Sequence, residues 1–263
     1  MGNKNILVID DEEVINDAVK KIATSEGYSV TSALSGAEAL KLLTREKFEL
    51  AICDIMMPEM DGLQLLKEVK NRNILTEVII ISGYSTVANV LTSLYEGAID
   101  FIPKPFTFDE IMSSISRGFK YIELKKETAT ADDSYIAFVP CPPKYMKLGY
   151  SSWTFLQAEG LAVIGATDLF LKTISAIESI QLLNVNDMII QANPAGKIIC
   201  QDELVHNLLA PIGGKIIERN DSILKDPALL EKDPYFSGWI YKIIPADIEY
   251  DMKQLLDCSS ERI

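Results

Sequence analysis

The sequence predicts an α/β, doubly wound domain with a five-stranded parallel sheet, followed by a compact β-rich domain. Two observations carry that fold class. Over roughly residues 5 to 126, short apolar runs alternate with stretches of helical periodicity, as strands joined by crossover helices do. Beyond the middle of the chain, short β-like runs are separated by turn residues, and helical periodicity almost disappears.

Taken in order, the first strand spans about 5 to 10 and carries Ile6-Leu7-Val8-Ile9 into Asp10-Asp11. The second spans about 28 to 33, and the third, about 49 to 54, carries Leu50-Ala51-Ile52-Cys53 into Asp54. The fourth, about 77 to 82, carries Val78-Ile79-Ile80-Ile81 into Ser82-Gly83, and the fifth, about 99 to 103, runs into Pro103-Lys104-Pro105. Helices are expected at about 12 to 26, 36 to 46, 62 to 72, 85 to 96 and 108 to 126, with Gly27, Gly83 and Gly97 where elements should stop. In the last helix Ile111 and Ile115 should pack on the sheet, while Phe119 and Ile122, on the same stripe, are candidates for a contact beyond it. Residues 127–144 read as an exposed linker between a domain at 1–126 and a β domain at 145–263.

In the β domain, strands are expected around Trp153 to Leu156, Leu161 to Ile164, Ile177 to Ile180, Val185 to Ile190, Gly196 to Ile199 and Gly238 to Ile243. Short helices are expected near 169 to 174 and 248 to 256, and Trp153 and Trp239 are expected in the core.

In an open parallel sheet the carboxyl ends of neighbouring strands converge on one crevice. Here they deliver three carboxylates, a hydroxyl and an ammonium: Asp10, Asp11, Asp54, Ser82 and Lys104. Converging carboxylates repel unless they take up protons or share a cation, and an all-oxygen donor set suits Mg²⁺. In isolation each residue has a plain reading, Asp10 and Asp11 as helix caps, Asp54 and Ser82-Gly83 as turn residues, Lys104 as a solvated lysine. Their joint occurrence in order overturns those readings.

Asp10-Asp11, Asp54 with Met57-Pro58 and Asp61-Gly62, Ser82-Gly83 and Phe101 to Phe106 resemble the receiver domain of two-component response regulators, which is flavodoxin-like, over residues 1 to about 126. The resemblance implies that Asp54 accepts a phosphoryl group from a sensor histidine kinase. It implies Mg²⁺ held by Asp10, Asp11, Asp54 and the Met56 carbonyl, with Lys104 and Ser82 on the phosphoryl oxygens and Phe101 at the aromatic switch position. It further implies a signalling face on the fourth helix, fifth strand and fifth helix, carrying Val87, Val90, Leu94, Tyr95 and Ser114, able to dimerise, dock a target or release the second domain.

The second domain resembles the H protein of the glycine cleavage system, a lipoyl-bearing β domain, over about 145 to 257. The matching segments are Ile164-Gly165-Ala166-Thr167-Asp168, Leu208 to Ile217, and the stretch from Asn220 through Asp233-Pro234-Tyr235 to Gly238-Trp239. The family's lipoylated lysine falls at Glu203, or with a one-residue slip at Asp202 or Leu204; none is an amine, so lipoate is not expected. The family's acidic residue four places on is Asn207, and its histidine before the early tryptophan is Ser151. His206, the one histidine of the chain, reads as a solvated or locally hydrogen-bonded turn residue, and Asp202 and Glu203 as solvated hairpin-tip charges.

The formal net charge is −13 and the sequence pI is about 4.6. Residues 127–263 carry eleven Lys and Arg against nineteen Asp and Glu, so neither half offers the basic footprint that nucleic acid demands. Cys53, Cys141, Cys200 and Cys258 are too far apart for a zinc motif and read as reduced thiols. No signal segment or stretch of ~20 apolar residues is present, so a cytoplasmic protein is expected. The functional expectation is a phosphorelay response regulator with a non-DNA-binding output acting through an unidentified target protein, and no catalysis beyond its own phosphorylation and dephosphorylation. The competing expectation is a phosphorylation-regulated carrier or accessory component in glycine cleavage or lipoate metabolism.

Overall fold

The structure is a computed structural model that describes residues 4–84, 86–130 and 136–260. The chain divides into two compact units, Met1–Ile122 and Glu123–Ile263. Among the described residues the first unit runs β1 (Asn5–Ile9), α1 (Glu13–Ser25), β2 (Ser29–Ala33), α2 (Gly36–Arg45), β3 (Leu50–Asp54), α3 (Gly62–Asn71), β4 (Glu77–Ser82), α4 (Val87–Tyr95), β5 (Asp100–Pro103) and the part of α5 (Phe108–Thr130) up to Ile122. The sheet order is β2-β1-β3-β4-β5, with every pairing parallel. Strands covered by helices on both faces must be apolar throughout, which is why β1, β3 and β4 are near-continuous runs of Ile, Leu, Val and Ala buried almost without exception. Edge strands β2 and β5 are only partly buried.

Each helix boundary has a local cause. Ser35 caps α2 by accepting from the Glu38 N–H, and Asp61 with Gln64 forms a reciprocal capping box at the start of α3. Thr86 caps α4, which places its first residue at Val87; residue 85 of the expected start lies outside the described residues. The last helix continues to Thr130, four residues past its expected end, because residues 123–130 contain neither Gly nor Pro. Of the expected linker, residues 131–135 lie outside the described residues. Phe119, a candidate for an outward contact, instead stacks on Tyr28 with ring centroids 5.1 Å apart, and Ile122 is buried.

The second unit continues, among the described residues, with β6 (Met146–Leu148), β7 (Ser152–Leu156), β8 (Ala162–Ala166), α6 (Asp168–Lys172), β9 (Ile177–Leu182), β10 (Met188–Ile189), β11 (Pro194–Cys200), β12 (Val205–Leu209), β13 (Gly214–Arg219), α7 (Asp221–Lys225), α8 (Ala228–Lys232), β14 (Trp239–Pro245), α9 (Ile248–Met252) and β15 (Leu256–Asp257). Two antiparallel sheets result, of orders β10-β13-β14-β8-β7-β6-β15 and β12-β11-β9. Tyr241 of β14 joins them: its hydroxyl donates to the Ala195 carbonyl at 2.8 Å and accepts from the Leu183 N–H at 2.7 Å. Trp153 is fully buried, its indole N–H shared between the Ala166 and Pro234 carbonyls, and Trp239 packs partly buried beside that cluster.

Two expectations are corrected here. Cys141 and Cys258 are not separate thiols but a disulfide, with Cα atoms 5.5 Å apart across 117 residues of sequence; Cys53 and Cys200 are free and buried. Sequence spacing says nothing about two positions that meet only because β15 pairs with β6. His206 is not a solvated turn residue either: it lies within β12 opposite Ile198, 1% exposed, because period-two alternation turns it and Leu208 inward.

Candidate functional site: a lysine between two buried carboxylates

The sheet order reverses between β1 and β3, and the crevice beyond their carboxyl ends is where such a sheet exposes a binding site. Asp10 follows β1 and Asp54 closes β3, so both carboxylates face that switch point, 1% and 3% exposed. Lys104, just past β5, reaches both: its Nζ lies 2.6 Å from Asp10 Oδ2 and 2.9 Å from Asp54 Oδ1. Glu12 stands further out, at 4.0 Å.

The remaining carboxylate oxygens are also held. Asp54 Oδ2 accepts from the Met56 N–H at 2.7 Å, and Asp10 Oδ1 accepts from the Glu12 N–H at 3.0 Å. Lys104 is aimed by its own backbone, whose N–H donates to the Ser82 carbonyl at 2.8 Å. Burial disfavours the ionised form of Asp10 and, despite Lys104, holds its carboxyl above the usual range. Burial also opposes charge on Lys104, but hydrogen bonds to Asp10 and Asp54 prevail and its ammonium is held above the ordinary lysine value. The neighbouring Cys53 thiol is pushed well up by burial and then by Asp54, which leaves it a poor nucleophile.

Not every expected residue joins this group. Asp11 is exposed, and Met56 is 54% exposed on the loop after β3. Ser82 is buried, its Oγ accepting from the Tyr84 N–H at 3.1 Å, and Phe101 packs half-buried against the core. Val90, Leu94 and Ser114 of the expected signalling face are buried, and Ser114 is bonded to Asp100, which also pairs with Arg117. Of that face only Tyr95 and half-buried Val87 reach solvent, because the helical stripe carrying Val90 and Leu94 points at the sheet. Among the described residues no three His, Cys, Asp or Glu side chains stand close enough to hold a metal ion. The oxygen donors nonetheless fit Mg²⁺ in kind, and Asp10 is a buried carboxyl whose charged form a cation would favour.

Two further residues shape the crevice: Asn16, which the sequence did not single out, and Gly62, which it gave only as part of the Asp61-Gly62 motif, without a role. Asn16 is buried, and its amide donates to the Asp10 carbonyl at 2.8 Å and the Ala33 carbonyl at 3.2 Å, pinning the end of β1 to the end of β2. Its legible signal is a polar residue on the buried stripe Asn16, Val19, Ala23. A Cβ on Gly62 would lie 2.1 Å from the Asp54 carbonyl oxygen, so the start of α3 approaches Asp54 as closely as it does only because residue 62 has no side chain.

In the second unit, Gln201, Asp202 and Glu203 form the exposed tip of the β11–β12 hairpin, Glu203 with φ +66°. The Cys200 N–H to Leu204 carbonyl bond closes the turn.

The family model of the response regulator receiver domain matches residues 6–116, and that of the glycine cleavage H-protein matches residues 144–262. The chain joins a receiver domain to an H-protein-like domain. Transcriptional regulatory protein ZraR of Klebsiella oxytoca is 34% identical to this chain over 126 residues, covering 48% of the chain and 28% of ZraR. A putative response regulator NtrX-like protein of Rickettsia bellii is 36% identical over 125 residues, 47% of this chain and 26% of that protein. The chain thus spans about a quarter to a third of the length of the curated relatives it matches. Among solved structures, a CheY-like receiver domain protein from Methanospirillum hungatei is 33% identical with a TM-score of 0.45, covering 46% of this chain and 98% of that one. A glycine cleavage system H protein from Mycobacterium marinum is 24% identical with a TM-score of 0.41, covering 45% of this chain and 94% of that one. The Asp10, Lys104 and Asp54 group belongs to the receiver domain, and the Glu203 hairpin to the H-protein-like domain.

Proposed function

We propose that this chain is a two-component response regulator phosphorylated on Asp54 by a sensor histidine kinase, with the H-protein-like domain acting through protein–protein contacts. The single observation that carries this reading is Lys104 bridging Asp10 and Asp54 at the switch point of the sheet. A carboxylate oxygen of Asp54 attacks the phosphorus of a phosphohistidine, the P–N bond breaks with its electron pair passing to the imidazole, and an acyl phosphate forms. Lys104 exchanges part of its hold on Asp54 for the arriving phosphoryl oxygens, placing positive charge where negative charge accumulates. Ser82, one strand over, supplies a hydroxyl to the same oxygens once its loop turns inward, and Phe101 turns with it. Mg²⁺, when bound by Asp10, Asp11, Asp54 and the Met56 carbonyl, supplies the charge neutralisation that phosphoryl transfer requires.

We place the protein in the cytoplasm; no helix among the described residues is long and apolar enough to cross a membrane. The acidic second unit argues against DNA as the target. The carrier reading is the weaker one, since an acyl carrier needs an amine at the hairpin tip and Glu203 is a carboxylate. The test is intact mass of the full chain after incubation with a small-molecule phosphodonor and Mg²⁺. A gain of one phosphoryl group is expected, absent in Asp54→Asn and with a metal chelator; an equal gain in Asp54→Asn would defeat the proposal.

A further inference from the structure

We propose that the H-protein-like domain carries a redox input of its own, with Cys141 and Cys258 as a reversible dithiol–disulfide pair that exchanges with a low-molecular-weight disulfide of the glutathione class. The inference does not depend on phosphorylation of the receiver domain. It rests on where the two sulfurs sit: one beside a two-residue edge strand, the other in a surface segment that enters the domain.

Cys258 follows β15, a two-residue edge strand that pairs with β6 through Leu256 opposite Lys147 and Asp257 opposite Met146. The Cys258 N–H adds one bond, to the Tyr145 carbonyl. Cys141 lies in the segment that enters the domain, where Val139 is gripped at both backbone groups: its N–H donates to Asp168 Oδ2 at 2.6 Å, and the Tyr235 hydroxyl donates to its carbonyl at 3.0 Å. Val139 is nevertheless 53% exposed and Ile136 73%, so this segment lies on the surface of its domain. The disulfide therefore ties the segment that enters the domain to the one that follows β15, across 117 residues of sequence. Both cysteines are 3% exposed, clustered with Tyr145, Trp153 and Tyr235. A reagent reaches them when β15 or the entry segment peels away, an opening that needs no change in the central strands.

Selectivity follows from the other cysteines. Cys53 is embedded in β3 and Cys200 in β11, both fully buried in regular strands, so neither competes in exchange. In the oxidising direction, one cysteine thiolate attacks the small disulfide, releasing one small thiolate and leaving a mixed disulfide. The second cysteine thiolate attacks the protein sulfur of that bond and releases the other. Two electrons pass from the cysteine pair to the small disulfide, and the two protons end on the released thiols. In a reducing compartment such a pair closes only when the thiol poise turns oxidising, which makes it a sensor as well as a brace.

The experiment equilibrates the full chain across a series of reduced-to-oxidised glutathione ratios, traps free thiols with an alkylating reagent and reads intact and peptide masses. Alkylation at Cys141 and Cys258 should disappear together as the ratio falls. In parallel, the melting transition of the H-protein-like domain should lie about 10 °C lower in the reduced protein, as expected for a bond closing so long a loop, while the receiver transition stays put. Limited proteolysis should cut near the C-terminus faster after reduction. A variant carrying both Cys141→Ser and Cys258→Ser should melt like the reduced protein and ignore the ratio. The proposal is overturned if both thiols remain alkylatable at every ratio, or if paired and reduced protein show the same melting and the same C-terminal cleavage.

Discussion

Lys104 is the residue on which the receiver crevice turns, since two buried carboxylates depend on one ammonium. Removing it by Lys104→Met leaves Asp10 and Asp54 facing each other out of water. The cost should be about 3 kcal/mol in a urea unfolding curve at neutral pH, the low end for a broken buried pair, because burial already raises the Asp10 carboxyl. The pH dependence has a definite sign. Lys104 is held above its ordinary value of 10.5, so its contribution is complete below pH 10.5 and fades as pH rises through the higher folded value. Stability of the wild-type receiver relative to Lys104→Met should therefore narrow above pH 10.5; a gap that stays constant to pH 11.5 would show that the ammonium is not held. Asp10, Asp54 and Lys104 were all legible in the sequence because each closes an apolar run at the same relative point. The roles of Asn16 and of Gly62, the latter quoted only as part of a motif, were not legible, since what they contact is the backbone of another element, and a sequence does not display backbone proximity.

At the scale of elements, Gly62 and Tyr241 carry the sharpest consequences. Gly62→Ala drives a methyl into the Asp54 carbonyl oxygen, 2.1 Å away, so either α3 or the loop after β3 must shift. A loss of about 2–3 kcal/mol is expected, together with slower phosphorylation from a small donor, because the displaced loop carries Met56. Tyr241 bridges the two sheets of the H-protein-like domain, and burial pushes its phenol up to about 12. Its contribution is whole below pH 10 and is lost as pH climbs toward 12, amounting to about 3 kcal/mol. Melts of the second domain across that window should reveal the loss, and Tyr241→Phe should remove the pH dependence while weakening the domain throughout, since the Ala195 carbonyl and the Leu183 N–H lose their partner. The strands β1, β3 and β4 were readable because strands covered on both faces leave unbroken apolar runs. The strands β6, β12 and β15 were not read as such: β6 and β15 hold only two or three residues, and β12 alternates too few side chains to separate strand from turn.

For the whole molecule, the H-protein-like domain should not take a lipoyl group. Coexpression with a lipoate ligase should leave the intact mass unchanged, because a carboxylate at the Glu203 tip cannot form the required amide. Glu203→Lys should restore acylation if the hairpin, exposed and closed at Cys200 and Leu204, still presents the tip as the family does. An adduct on the wild-type chain would revive the carrier reading.

The order of elements in the receiver domain, its chemistry-bearing strand ends and the β character of the second domain were written in local sequence. All three are expressed over a few consecutive residues, through apolar periodicity and the turn residues that interrupt it. The fold decided which of those residues meet. Asp10 and Lys104 are 94 positions apart, and Cys141 and Cys258 are 117 apart. Their encounter depends on strand order and register, which arise from packing many side chains at once. The burial of His206 and of Val90 and Leu94 came from the same source: a local pattern says that a residue alternates or recurs, and only the packed sheet says which side has water.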